Sequence, residues 1–163
     1  ENDNQLPEVG ESPVTTAQTK AWFNVLPLYL SEKPLAELPP GERPRPGVPS
    51  LWIRPGTRPV KIWDPEVFYL TYGMNRNLQP VEGTRSFRIN EISFPGSVIF
   101  LAPINGYTPD AGPEDVVFPK TKTEAAQILF CDGHVQRLPR AKLLDPASLS
   151  ASAAEKGISW FQQ

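Results

Sequence analysis

The sequence predicts an α+β fold, an antiparallel β-sheet with a hairpin in its C-terminal half, short helices and long proline-rich loops. Three observations predict it. Residues 127–138, Gln-Ile-Leu-Phe-Cys-Asp-Gly-His-Val-Gln-Arg-Leu, set Asp132-Gly133 between an apolar run and an alternating one, the pattern of two strands joined by a tight turn. Residues 98–102, Val-Ile-Phe-Leu-Ala, are continuously apolar between Pro95-Gly96 and Pro103, as in a strand buried on both faces. The chain also has 20 prolines and 11 glycines in 163 residues, a proline share far above the usual ~5%. An apolar content of 39% over this length supplies one core, so residues 1–163 are read as a single domain.

Residues 1–14 are polar, with Pro7 and Pro13, and read as an extended entry. Thr15 or Thr16 can cap a helix, and Trp22, Leu26 and Tyr29 follow at helical spacing, predicting a helix over about 16–25 that continues with a kink or a restart at Pro27 to about 31. Residues 32–49 hold Pro34, Pro39-Pro40, Pro44, Pro46 and Pro49, which favours extended backbone with turns. Short strands are expected at 51–53 and 60–63, and a firmer one at 68–72, Phe-Tyr-Leu-Thr-Tyr, broken by Gly73 and Asn75. Another is expected at 85–89, and 98–102 is the second central strand, beside 128–131. Residues 104–127 carry the turn pairs Asn105-Gly106, Pro109-Asp110 and Gly112-Pro113. After Pro139, Asp145-Pro146 predicts a capped helix over 147–156 stopped at Gly157. Ile158, Trp160 and Phe161 are expected to dock on the core, since three large apolar side chains left in water make a sticky surface.

Within the hairpin, a type I′ turn centred on Asp132-Gly133 predicts that Cys131 faces His134, Phe130 faces Val135, Leu129 faces Gln136 and Ile128 faces Arg137. Ile128, Phe130 and Val135 then share one side. The arriving strand belongs in the sheet interior and the returning one at an edge, where Gln136 and Arg137 are tolerable.

Several of these segments also carry a family pattern. Phe130-Cys131-Asp132-Gly133-His134-Val135 resembles the "FADGHV" hairpin of the prepilin-type, H-X9-DG family of bacterial pseudopilin-like proteins. Tyr72-Gly73-Met74-Asn75-Arg76-Asn77-Leu78 is similar to that family's "YGMNxNL" segment, and Ile92-Ser93-Phe94-Pro95-Gly96-Ser97-Val98-Ile99-Phe100-Leu101 to its "I-x-x-P-S-x-x-I-L-L" strand. Asn2-Asp3-Asn4-Gln5-Leu6-Pro7, then Trp22 and Leu26-Pro27-Leu28-Tyr29-Leu30, resemble its "ANDN…LP" and "W…LLPYL" pieces, in the same order. Lys122 departs from the pattern, standing ten places before Asp132 where the family has its name-giving His.

The resemblance implies the globular head of a pilin-like subunit of a type II secretion or type IV pilus-like filament. It implies a structural protein of the cell envelope, on the periplasmic or extracellular face, whose full-length form is membrane-anchored through an N-terminal helix ahead of Glu1. The implied partners are other pilin-like subunits or the secretion machinery, met through the loops 32–50 and 104–122. In this chain itself no apolar run reaches the ~18 residues of a membrane helix.

The chemistry in the residues is sparse. A net charge of −2 gives no electrostatic reason to expect nucleic acid. One cysteine excludes an intrachain disulfide and a multi-cysteine zinc site. Cys131 opposite His134 is the one arrangement that resembles a nucleophile with its base, but the sequence supplies no orienting third group, and the expectation is a protein without enzymatic activity. Asp110, Glu114 and Asp115 are candidate calcium ligands in an oxygen-rich loop, without the spacing of an EF-hand; a solvated acidic loop is the commoner outcome, and no other cofactor is expected. Trp52, Trp63 and Tyr72, with Arg54, Arg58 and Lys61 nearby, make a candidate aromatic patch for carbohydrate. A free-standing extracellular binding module is therefore the alternative function, although burial in the core is the more common fate of such side chains.

Overall fold

The two most apolar stretches of the chain become neighbouring inner strands. The computed structural model describes residues 4–58, 64, 67–79, 87–119, 124–145 and 157–160. Its strands are β1 (Leu70–Asn75), β2 (Ile99–Gly106), β3 (Asp110–Ala111), β4 (Ala125–Phe130) and β5 (Val135–Pro139), and its helices are α1 (Trp22–Tyr29) and α2 (Arg140–Leu143). The fold is α+β, a five-stranded sheet in the order β3-β1-β2-β4-β5 with few helices. As expected, β2 pairs with β4, and β5 lies at the edge.

The sheet is mixed where an antiparallel one was expected, because β3 pairs parallel to β1 through Met74–Asp110 and Asn75–Ala111. Residues 107–109 carry the chain from the β2 side of β1 to its other side. Gly73 permits this approach. A Cβ there would lie 2.5 Å from the Asp110 carbonyl oxygen, so Gly73 sits inside β1 and does not break it.

The hairpin register differs from the expected one by one residue. Leu129 pairs with Val135, Ile128 with Gln136 and Gln127 with Arg137. The amide of Gly133 donates to the Phe130 carbonyl at 3.0 Å and that of Phe130 to the His134 carbonyl at 3.0 Å. Among the turn residues only Gly133, with φ +91°, has positive φ. This is a three-residue loop with glycine in the left-handed position, which a single glycine satisfies; a type I′ turn needs two such residues. Val135 therefore joins Leu129 on one face, and Ile128 and Phe130 are buried on the other.

Helix α1 starts later than the capping signal predicts. The Trp22 amide donates to the Glu8 carbonyl at 2.9 Å and Ala21 bridges Glu8, so the backbone before Trp22 is already committed to the entry segment. Pro27 lies inside α1 and leaves the Phe23 carbonyl without its usual donor four residues on. The Trp52 indole Nε1 supplies one at 3.0 Å, which explains how a buried helix turn tolerates proline there.

Residues 32–49 form two isolated 3₁₀ turns, at Leu35–Glu37 and Pro40–Glu42, and no strand. Residues 51–53 form a turn closed by a Ser50–Ile53 bridge, where a strand was expected. The strand expected at 60–63, residues 85 and 86, and the helix at 147–156 lie outside the described residues; at 87–89 an isolated Gln5–Arg88 bridge and the start of a 3₁₀ turn at Ile89 stand where a strand was expected. One apolar cluster, around Trp22, Phe23, Leu35, Leu70 and Met74, packs between α1 and one side of the sheet. A second, around Ile99, Ile128, Phe130, Leu143 and Trp160, fills the other side.

Candidate functional site

The segments that carry the family pattern meet at one end of the sheet. The Cys131 amide donates to the Val98 carbonyl at 3.0 Å and that of Asp132 to the Pro95 carbonyl at 3.2 Å, joining the hairpin tip to the 94–98 turn. Asn75, fully buried, donates through Nδ2 to the carbonyls of Ile99 and Trp160, both at 2.9 Å, and its Oδ1 accepts from the Asn77 amide at 3.1 Å. Asn77 donates to the same Trp160 carbonyl at 3.0 Å. Ser159 bridges Val98, with the Ile99 amide donating to the Ser159 carbonyl at 3.0 Å. Of the motif residues, Gly73 makes room for β3, Met74 fills the core, and Asn75 ties β1, β2 and the 157–160 segment together. Trp160 docks as expected; Phe161 and Lys122 lie outside the described residues.

His134 does not face Cys131. Its ring stacks on Phe130, centroids 4.3 Å apart and planes 3° from parallel, and its Nδ1 lies 2.6 Å from Asp132 Oδ1. The backbone amide and ring of His134 hold the Asp132 carboxyl below its ordinary pKa. A carboxyl pKa lowered by folding contributes stability that is present above the unfolded-state value and lost as pH falls through the folded one. Titrated by its carboxyl carbon shift, Asp132 should accordingly show a midpoint below that of Asp132 in the urea-unfolded chain; an equal midpoint would contradict the contact.

Cys131 is buried, and burial first, then the Asp132 charge, pushes its thiol up to about 12. Thiolate is the reactive form. In the folded chain Cys131 should label with iodoacetamide at pH 8 at least ~100-fold more slowly than in urea; equal rates would show an accessible thiol.

Asp110, Glu114 and Asp115 do converge, but on a cation of the protein's own. Arg76 Nε lies 3.2 Å from Asp110 and Nη1 2.7 Å from Glu114, while Nη2 pairs with Asp115. The guanidinium stands where the candidate calcium would, and among the described residues no group of acidic, histidine or cysteine side chains is arranged for a metal. Arg76 was not singled out from sequence, although its place in the Tyr72–Leu78 segment was the available signal.

The carbohydrate patch is also rearranged. Trp52 is only 6% exposed and is committed to Phe23, so it presents no open platform; Trp63 lies outside the described residues. Tyr72 is half-buried and sits between two cavities on one sheet face. One is an apolar groove of about 370 Å³ between α1 and the sheet, lined by Trp22, Leu26, Leu30, Leu51, Leu129 and Val135 among others. The other is a wider cleft of about 890 Å³ bounded by the 54–58 and 117–119 loops. Burial raises the hydroxyl pKa of Tyr69 and Tyr72, with the Arg54 charge acting in the opposite sense, so both stay protonated at neutral pH.

Comparison with family models, with curated proteins and with solved structures found no match to this chain.

Proposed function

We propose that this chain is the head of a pilin-like assembly subunit of the H-X9-DG type, working in the cell envelope by contact with other subunits or with secretion machinery. The observation that carries the reading is the apolar groove beside α1. Leu30 and Val135, which line it, are 62% and 63% exposed, and Leu51 is an exposed lining residue as well. A contiguous apolar surface of this kind is the ordinary mark of a protein contact. A sheet that buries one face must cover the other to exclude water from residues such as Leu101 and Leu129. The occupant is an apolar helix of the assembly, which would lay its apolar face on the side chains lining the groove. Support also comes from the motif residues Asn75 and Asn77, which act as ties between segments.

The test is the intact mass and N-terminal sequence of the protein isolated from its native envelope. A product with an apolar helix ahead of Glu1 is the expected result, and a native chain beginning at Glu1 would overturn it. Val135→Lys gives a second readout. Surface changes of this type shift stability by no more than about 0.5 kcal/mol, so melting should be unchanged while recovery with envelope partners is lost; recovery equal to that of the unmodified protein would remove the groove from the contact.

A further inference from the structure

We infer that the helix seated in the apolar groove is amphipathic and carries a carboxylate side chain beside its apolar row, which passes Tyr72 to meet Arg54 in the adjoining cleft. This rests on the groove being a protein contact and adds the chemistry of the partner. Groove and cleft are continuous, because Tyr72 and Gln127 line both. A helix lying along the groove therefore turns its flank toward the cleft. No charged side chain is among the groove's described lining residues, so the groove by itself selects only for apolar surface. The cleft supplies the charge. The chain as a whole is slightly acidic, with 16 basic and 18 acidic residues, yet Arg54, Arg58 and Arg137 line this cleft and no aspartate or glutamate is among its described lining residues.

The three arginines differ in what they can offer. Arg137 has a partner of its own within the chain and takes no part. Arg58 is exposed and adds to the local positive field. Arg54 is partly buried, and its position is fixed: its amide donates to Thr71 Oγ1 and its Nη1 to the Val117 carbonyl at 3.3 Å. A carbonyl occupies one of the guanidinium's several N–H donors and leaves its charge uncompensated. The Arg54 charge is felt at the Tyr72 hydroxyl, on the boundary between the two cavities. A cation partly withdrawn from water is stabilised most by an anion, and a guanidinium pairs a carboxylate in a planar, two-point geometry that also gives specificity. Charge complementarity thus selects an acidic amphipathic helix and rejects a basic one.

Isothermal titration of the chain with synthetic alanine-based helices of about 18 residues, long enough to be helical in isolation, tests the assignment. Each carries leucine at i, i+3, i+4 and i+7, with glutamate, glutamine or lysine one turn beyond both ends of that row, so that either direction of docking brings one of them to Arg54. The glutamate peptide should bind roughly tenfold more tightly than the glutamine peptide, the worth of one charge-assisted contact, and the lysine peptide most weakly. The glutamate advantage should shrink as NaCl rises from about 50 to about 300 mM. In Arg54→Gln the glutamate and glutamine peptides should bind alike, with the glutamine peptide as tight as on the parent, which certifies the groove of the variant. Equal affinity of the two peptides for the parent, or a glutamate preference that survives in Arg54→Gln, would overturn the carboxylate contact and leave the groove reading standing. No binding by any peptide, or glutamine-peptide binding that Val135→Lys leaves untouched, would overturn both. A dimer in sedimentation that Val135→Lys turns into a monomer would seat a second copy of the chain in the groove and overturn the acidic helix.

Discussion

Asn75→Asp is expected to destabilise the fold by roughly 3–5 kcal/mol, the range for a buried charge left without compensation. The side chain is fully buried and its Nδ2 is the donor to two carbonyls, those of Ile99 and Trp160, each at 2.9 Å. Aspartate keeps the shape and removes both donations, setting a carboxylate against two carbonyl oxygens. In a chain of this size about 1 kcal/mol moves the melting temperature by ~2–4 °C, so a fall of roughly 6–20 °C should appear by differential scanning calorimetry at pH 7. The introduced carboxyl should have a raised folded-state pKa, so the penalty is full above that value and eases as pH falls toward the unfolded one. Asn75→Ala should cost less, about 2–3 kcal/mol, because it leaves the carbonyls unpaired without adding charge. Melting of Asn75→Asp within about 1 °C of the parent at pH 7 would show that the three-segment tie contributes nothing.

Trp160→Ala is expected to cost about 3–5 kcal/mol in urea unfolding, as for large aromatic residues truncated in a core. Trp160 is fully buried against the second apolar cluster, and its Nε1 donates to the Leu143 carbonyl at 3.3 Å. Trp160→Phe keeps most of the packing and should lose only ~1 kcal/mol, the worth of one hydrogen bond. Asn75 Nδ2 donates to the Trp160 backbone carbonyl, which Trp160→Ala keeps but leaves on a segment no longer anchored in the core, so the double variant should lose less than the sum of the two. If Trp160→Ala unfolds at the parent's urea midpoint, the 157–160 segment is an appendage and not part of the core.

How legible the fold was depended on how local its causes are. The inner strands could be read from 98–102 and 128–131 because an unbroken apolar run needs cover on both sides. The DG hairpin could be read because glycine marks the turn, but its register could not, since the choice between a two- and a three-residue loop turns on whether Asp132 also takes positive φ. The carboxylates of Asp110, Glu114 and Asp115 were visible as a cluster. Their target, Arg76, lies more than thirty residues away in sequence, and only the parallel β1–β3 pairing brings it there.

Sequence by itself determined the α+β class, the inner and edge strands of the hairpin, the proline-rich loop without strands and the docking of Trp160, because these follow from periodicity, turn chemistry and the burial of large apolar side chains. Tertiary structure alone decided the mixed sheet, the late start of α1, the indole that replaces a proline's missing donor, the buried Asn75 tie and the gathering of three arginines in one cleft. Each of these depends on backbone carbonyls or charges contributed by segments remote in the chain, and long-range pairing of that kind leaves no local pattern to read.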